Sequence, residues 1–170
     1  MRITDDFMTK TAVLTFAVFC ILQAMPTFAA NTSGLPVPRF VSLKNEETNI
    51  RTGPGTRYPI QWVYRRAGMP VEVIEEFDLW RKVRDAEGTA GWVHKTMIVG
   101  TRHVMIKGKE ARVVRIDADA HAKPILKAEP SVTASLLECN PSWCRIQLSG
   151  RKGWIEKDYL WGVYKDEVFD

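Results

Sequence analysis

The sequence predicts an all-β protein made of two tandem copies of one small antiparallel barrel. The first observation is a repeated motif, Trp-x-(Lys/Arg)-(Val/Ile) followed by Gly-Trp-(Val/Ile), which begins at Trp80 and again at Trp143. The second is that apolar residues alternate with polar ones in short runs between turn residues, a pattern typical of strands. The third is that no long stretch has a helical period. A small sandwich is the alternative for strands of this length.

The two copies stay in register except in one loop. They are 63 residues apart at the first tryptophan (143 against 80) and 62 residues apart from the glycine onward (153 against 91). One residue is therefore missing from the second copy, in a polar stretch that contains a glycine. Hairpin loops change length in this way while the flanking strands keep their pattern. The repeat predicts a first module over residues 39–101 and a second over residues 102–170.

Residues 1–30 have the features of a secretory signal peptide. Basic residues flank a weakly charged start, and an apolar run of 12 residues follows over 11–22. That run is too short for a membrane span of about 20 residues, but it fits the central region of a signal peptide. Small residues predict cleavage after Ala29, or after Ala30 as the alternative. We interpret the polar, proline-bearing residues 31–38 as a flexible linker.

The charge of the chain limits the classes of partner. The formal net charge is +4, and the charges of the signal peptide cancel, so the mature chain keeps all of it. An exported basic protein is expected in the periplasm or at the cell envelope, where anionic polymers, lipid head groups and acidic proteins are its counterparts. Nucleic acid is excluded as a partner in that compartment. No stable membrane span is expected after cleavage of the leader.

The predicted strands follow the alternating pattern along each module. They cover residues 40–43, 71–74, 80–84 and 91–94 in the first module, and 104–106, 113–116, 135–138, 143–148 and 153–156 in the second. The chain then has an unusually aromatic stretch at 160–164. We expect this stretch to close the second barrel, because apolar clusters usually mark cores; an exposed anchor is the alternative.

These motifs resemble one known family. Residues 49–55 (NIRTGPG), followed by Trp80 and the Gly-Trp-Val of 91–93, resemble the bacterial SH3 domains of exported proteins. The second copy looks like the second module of a tandem subfamily, and the resemblance covers residues 40–164. It implies two SH3-like barrels and a ligand groove near the loop of residues 51–55. The second copy departs there, because Ile116-Asp117-Ala118-Asp119 stands where the first has Arg-Thr-Gly-Pro-Gly.

The first module supplies the candidate ligand residues. Glycines on both sides of Pro54 indicate a tight turn, and the SH3-like architecture would place Arg51 and Tyr58 at the rim of a groove. The alternative is that this loop is only a turn. Arg65 belongs to a basic set of residues that suits carboxylates, since guanidinium groups pair with them in a bidentate way. The alternative for that set is the solvated face of a strand.

Tryptophans are the other candidates. Trp92 and Trp154 occur in both copies after a glycine, so we expect them to be buried in the barrels. Trp80 closes a hairpin, where we expect it to be half-buried and available to a ligand. Trp62 is the preferred surface aromatic, because its counterpart in the second copy is the aliphatic Ile125. SH3-type grooves commonly use such aromatic residues to hold an extended ligand.

Two cysteines remain after the leader is removed. The repeat places Cys139 opposite Glu76 and Cys144 opposite Arg81, so one copy has a possible ion pair where the other has two thiols. Positions that face each other across a hairpin in an oxidising compartment predict a disulfide. A redox site is the alternative, but the spacing is not Cys-x-x-Cys.

The sequence predicts a binding protein and not an enzyme. It has no Gly-x-Ser-x-Gly, His-Glu-x-x-His or Cys-x-x-Cys motif, and we expect no cofactor. The group Asp117, Asp119 and His121 lacks a fourth ligand at matching spacing, so we expect no metal. The expected function is non-catalytic binding of peptidoglycan or of a partner peptide in the envelope, mainly through the first module. The alternative is a structural adaptor without a dedicated ligand groove.

Overall fold

The computed structural model describes residues 32–169 and contains two antiparallel sheets of seven strands, one in each module. The predicted signal peptide lies outside the described residues. The strands of the first module are β1 (Arg39–Leu43), β2 (Thr48–Arg51), β3 (Ile60–Tyr64), β4 (Pro70–Phe77), β5 (Trp80–Arg84), β6 (Ala90–His94) and β7 (Ile98–Val99). A 3-10 helix, Lys95–Met97, joins the last two of them.

The second module repeats the first element by element. Its strands are β8 (His103–Ile106), β9 (Arg112–Arg115), β10 (Pro124–Ala128), β11 (Thr133–Cys139), β12 (Trp143–Leu148), β13 (Arg151–Glu156) and β14 (Leu160–Trp161), with a 3-10 helix at Lys157–Tyr159. The strand orders are β3-β2-β6-β5-β4-β1-β7 and β10-β9-β13-β12-β11-β8-β14. These orders are the same once the second is renumbered, so the predicted all-β duplication is confirmed.

The missing residue of the second copy falls in a hairpin loop. In the first module, the carboxylate of Asp85 organises the β5–β6 loop by accepting hydrogen bonds from the backbone N–H groups of Glu87 (3.1 Å) and Thr89 (2.8 Å). In the second module, Ser149 and Gly150 turn the chain between β12 and β13 with φ of +50° and +76°. Two successive positive φ values match the twist of a tight hairpin. The loop therefore changes length while the strands keep their pairing.

Each module has its own apolar core, and the glycine of the repeated motif lies against it. A Cβ on Gly91 would collide with Ile50, and a Cβ on Gly153 would collide with Ile125. Since Gly91 and Val93 face the core, Trp92 points to the opposite face of β6. Trp92 is buried, at 8% exposed, but it lies outside the barrel core in which we expected it. The expectation is wrong for Trp154, which is only half-buried.

The aromatic stretch at residues 160–164 does more than close the second barrel. Leu160 and Val163 belong to the core of the second module, as expected. Trp161 and Tyr164 instead pack on Phe40 of the first module, with ring centroids 5.0 and 4.7 Å from its ring. Within this short stretch, Leu160 and Val163 thus serve a core, whereas Trp161 and Tyr164 serve a contact between modules.

Two hydrogen bonds accompany this aromatic contact, and two more join the modules, between Ser42 and His103 (2.9 Å) and from Arg66 to the carbonyl of Ser131 (2.6 Å). The indole N–H of Trp161 donates to the backbone carbonyl of Pro70 (3.2 Å), and the hydroxyl of Tyr164 donates to the carboxylate of Glu72 (2.9 Å). Arg84 also donates to that buried carboxylate. A buried carboxylate needs such donors, because an unpaired charge away from water is costly. The second module therefore packs on the face of the first that carries β1 and β4.

The segment that we expected to be a flexible linker lies on the first module. The backbone N–H and the hydroxyl of Ser33 donate to the Glu76 carboxylate at 2.8 and 2.7 Å, and Val37 packs against the core. Glu76 also forms ion pairs with Arg39 (2.7 Å) and Arg81 (3.1 Å). Burial alone would raise the pKa of Glu76, but the bonds from Ser33 and Arg39 outweigh it and lower that pKa to about 2.

The predicted exchange of an ion pair for a disulfide is confirmed. Glu76 pairs with Arg81 across β4 and β5, and Cys139 pairs with Cys144 across β11 and β12. The two cysteines form a disulfide, with Cα atoms 4.1 Å apart. Among residues 32–169, no helix is both long and apolar enough to span a membrane.

Candidate functional site

An open groove of about 340 Å³ lies on the first module. β2 supplies Asn49 and Arg51 to it, and β5 and β6 supply the facing residues Trp80 and His94. The remaining wall comes from the loop after β2 and from the 3-10 helix, through Thr56, Thr96 and Met97. A mainly apolar concave surface with a few polar groups is typical of a ligand site.

Trp80 is the largest side chain of this groove, and its neighbours fix its position. It is the cross-strand partner of His94, and the two rings meet edge to face with centroids 5.4 Å apart. The His94 imidazole Nδ1 lies 2.8 Å from the Thr96 hydroxyl and accepts from the Thr96 backbone N–H at 3.4 Å. Such contacts limit the rotamers of the two rings, so the indole is presented to a ligand in a defined orientation.

Arg51 serves the loop that forms one side of the groove. Its guanidinium donates to the backbone carbonyls of Thr56 (3.1 Å) and Tyr58 (2.8 Å). The ring of Tyr58 lies over Gly53, where any Cβ would meet it. The loop is therefore closed on itself, and Tyr58 supports the rim without lining the groove.

The strand pairing corrects the alignment of this loop between the copies. Arg51 pairs with Trp92 and Arg115 pairs with Trp154, so Arg115, and not Ile116, is the counterpart of Arg51. Arg115 also donates to a carbonyl of its own loop, that of Ala122, at 2.8 Å. The arginine is thus shared by both modules and holds the loop in each.

Two of the candidate ligand residues lie away from the groove. Trp62 is half-buried and packs against the core of the first module. Trp62 pairs with Ile50 as Leu126 pairs with Val114, so its counterpart is Leu126, and the expected match to Ile125 is wrong. The ring lies beside Gly91 and fills space in the barrel. Arg65 is exposed, and its guanidinium is 3.7 Å from the carboxylate of Glu47. The structure therefore brings together Arg51 and Trp80 but separates them from Trp62 and Arg65.

Sequence reasoning missed most of the groove. His94 could have been found as the residue opposite Trp80 in the hairpin, and Asn49 as the residue two before Arg51 on the same face of β2. Thr96 and Met97 gave no signal, because a 3-10 helix of three residues has no recognisable period.

The described residues contain no free cysteine. Cys139 and Cys144 are joined to each other, so neither provides a thiolate. Residues 32–169 contain no cluster of three or more His, Cys, Asp or Glu side chains that could hold a metal ion.

A family model agrees with the division into two modules. A family model described as bacterial SH3 domain matches residues 44–100 and again residues 108–162. The chain is 22% identical, over 84% of its length, to YrvJ of Bacillus subtilis (strain 168), which is provisionally named an N-acetylmuramoyl-L-alanine amidase. It corresponds to only 29% of the length of that protein.

Solved structures with weaker likeness include an NlpC/P60 family protein from Bacillus cereus (14% identity, TM-score 0.33, 72% of this chain and 55% of that chain). NlpC2 from Trichomonas vaginalis is similar at 16% identity and a TM-score of 0.35, over 78% of this chain and 51% of that chain. The two family matches fall one in each module and together span most of both barrels. The chain therefore belongs to the bacterial SH3 domain family, with one such domain in each module.

Proposed function

We propose that this protein is a non-catalytic binding module of the cell envelope that recognises peptidoglycan or a partner peptide, mainly through the groove of the first module. The observation that carries the proposal is the pair Trp80 and His94, which presents an oriented indole in an open groove. An aromatic wall with nearby hydrogen-bonding groups is how SH3-type domains hold extended ligands.

The position of the second module supports binding over the adaptor alternative. The second module contacts Phe40, Ser42, Arg66, Pro70 and Glu72 of the first. All seven residues that line the groove belong to the first module, and none of these five is among them. The groove therefore stays open while the modules are packed together. An adaptor without a ligand site would have no need of such a surface.

The family and its relative suggest the ligand class. The relative's name is that of an amidase that cleaves at N-acetylmuramoyl-L-alanine, a component of peptidoglycan. A chain that matches part of such a protein and has a positive net charge suits an anionic wall polymer. Envelope location also requires export, and intact-mass analysis of protein from its native envelope should give a chain that begins at Ala30 or Asn31. A chain recovered with Met1 would contradict export by cleavage.

The direct test is capture of the purified mature protein on isolated cell-wall sacculi, with soluble envelope extract in parallel. Trp80→Ala should lose at least about tenfold in capture, which corresponds to about 1.4 kcal/mol. Trp143→Ala, the same change in the second module, should lose less. Arg65→Ala changes an exposed residue outside the groove and should retain full capture.

Circular dichroism must show that each variant is folded. If Trp80→Ala is folded and keeps full capture, the first groove is not the site. If the wild-type protein is captured by neither sacculi nor any component of the extract, the adaptor alternative takes precedence. Capture by extract alone would select a partner peptide over peptidoglycan.

A further inference from the structure

The second module has a groove of its own in the equivalent place, with a different chemistry. This cavity is about 370 Å³, and Trp143 and Glu156 lie in it as cross-strand partners. They occupy the positions that Trp80 and His94 occupy in the first module. The two modules therefore share the frame of the groove and differ in the groups that line it.

The carboxylates of the second groove are available to a ligand. His94 of the first module is hydrogen-bonded to Thr96, but the side chain of Glu156 forms no hydrogen bond to the 3-10 helix that follows it. Neither Glu156 nor Asp158, which follows it in the same groove, forms an ion pair with another residue in the range 32–169. An ammonium group between them would be paired and would also meet the face of a tryptophan, an arrangement that attracts cations.

The lysines beside this groove do not place an ammonium group between Glu156 and Asp158. Lys157 is buried, and its ammonium donates to the backbone carbonyls of Glu167 (2.7 Å) and Lys165 (3.2 Å). Lys165 lines the groove from the segment that follows the last strand. It has no ion pair with Glu156 or Asp158, so the carboxylates remain unneutralised by contact.

A second cavity of about 190 Å³ adjoins the first, because Glu156 lines both. Arg112, Arg115 and Tyr159 form its other walls. The guanidinium of Arg112 lies 4.1 Å above the ring of Tyr159, and its buried Nε has no hydrogen-bond partner among the described residues. The rest of this guanidinium lines the cavity and forms no ion pair with another residue in the range 32–169, so this end of the groove suits a ligand that brings an acceptor. A carboxylate is the acceptor that suits a guanidinium group best, because the two can form a pair of parallel hydrogen bonds.

We propose that the second module binds a short peptide that carries both a free amine and a free carboxylate. The amine lies against Trp143 between Glu156 and Asp158, and the carboxylate lies at the Arg112 end. Charges of both signs in one groove select against peptides that carry only one of them. This site is independent of the groove in the first module, so either of the two binding proposals can be wrong while the other holds.

The probe is the peptide acetyl-Ala-Ala-Lys-Ala with a free carboxylate. Two matched peptides replace its lysine by norleucine or its carboxylate by an amide. Binding to the full mature protein is followed by NMR through the indole N–H resonances, with that of Trp143 assigned from a Trp143→Phe variant. The double variant Glu156→His and Asp158→Thr gives the second groove the residues of the first. Glu75→Gln removes an exposed carboxylate elsewhere as the control.

The expected result is a shift of the Trp143 resonance with the parent peptide, and affinity lower by about tenfold for the norleucine peptide. The amide peptide should also bind more weakly. The double variant should no longer distinguish lysine from norleucine, whereas Glu75→Gln should behave as the wild type. Equal binding of the parent and norleucine peptides would overturn the proposal. So would the absence of any Trp143 shift at millimolar peptide, or retained discrimination in the folded double variant.

Discussion

Glu76 and Arg81 face each other across the β4–β5 hairpin with their charged atoms 3.1 Å apart, at the positions that Cys139 and Cys144 occupy in the second module. At the same position of the strand pairing, the two strands are thus joined by an ion pair in one copy and by a disulfide in the other. The ion pair also extends to Ser33 and Arg39, so it holds the segment before β1. The disulfide has an additional neighbour in Phe169, whose backbone pairs with that of Cys139.

Replacing Glu76 by Gln should strongly destabilise the first module. The change leaves Arg39 and Arg81 without their carboxylate in a site where the Glu76 side chain is fully buried. Breaking a buried ion pair in this way costs about 3 kcal/mol. Urea unfolding at neutral pH measures the loss. Glu75→Gln, which affects the exposed Lys82–Glu75 pair on the same strands, should cost less than about 1 kcal/mol. Equal effects of the two changes would contradict the burial argument.

The same carboxylate should make stability depend on acid pH. Because the pKa of Glu76 falls from 4.5 to about 2 on folding, its contribution is complete above pH 4.5 and is lost as the pH falls toward 2. Unfolding free energies measured over this range should decrease for the wild type. The decrease should be smaller for Glu76→Gln, which has no carboxylate at this position. Parallel curves for the two proteins would assign the acid sensitivity to other groups.

Reducing the disulfide should destabilise the second module modestly. The loop between Cys139 and Cys144 is short, with a separation of 5 residues, so the loop-entropy model gives only about 2 kcal/mol. Thermal unfolding with and without reductant tests this, and the Cys139→Ser, Cys144→Ser double variant should be insensitive to reductant. If reductant left the wild type unchanged and mass analysis showed free thiols beforehand, the bond would be absent in the protein.

The contact between the modules should make them unfold together. Trp161→Ala removes the ring packed on Phe40 and the hydrogen bond to Pro70. We expect this variant to show separate transitions for the two barrels where the wild type shows one. Tyr164→Phe keeps the ring and removes only the bond to Glu72, so it should cost about 1 kcal/mol and keep a single transition. Separate transitions in the wild type would show that the contact does not couple the modules.

The sequence predicted local features better than it predicted contacts between modules. The repeat identified both barrels, the variable hairpin and the exchange of Glu76 and Arg81 for cysteines, because each depends on spacing along the chain. It could not assign Trp161 to the first module, since alternation tells which side chains leave a core but not what covers them. The Arg51 alignment was wrong by one residue, because the loops that follow β2 and β9 share no motif that could set the alignment. The strand pairing sets it, since the same register shift lies beside Arg51 in β2–β3 and beside Arg115 in β9–β10.

Trp62 packs in the first barrel, whereas Trp80 lines the open groove. The Trp62→Ala variant tests this difference. Sequence reasoning treated Trp62 as a surface aromatic, and substitutions at the surface usually change stability little. Its contacts with the core and its position over Gly91 now predict that Trp62→Ala costs about 3 kcal/mol, as for a large-to-small change in a core.

Trp80→Ala should give the opposite result. Trp80 lines the open groove and is half-buried, so its loss should cost less stability than that of Trp62 and should abolish most ligand capture. Urea unfolding and capture on sacculi, measured for both variants under conditions where both are folded, separate the two roles. If Trp62→Ala kept its unfolding midpoint and lost capture, Trp62 would be the ligand residue and the groove at Trp80 would not be the site.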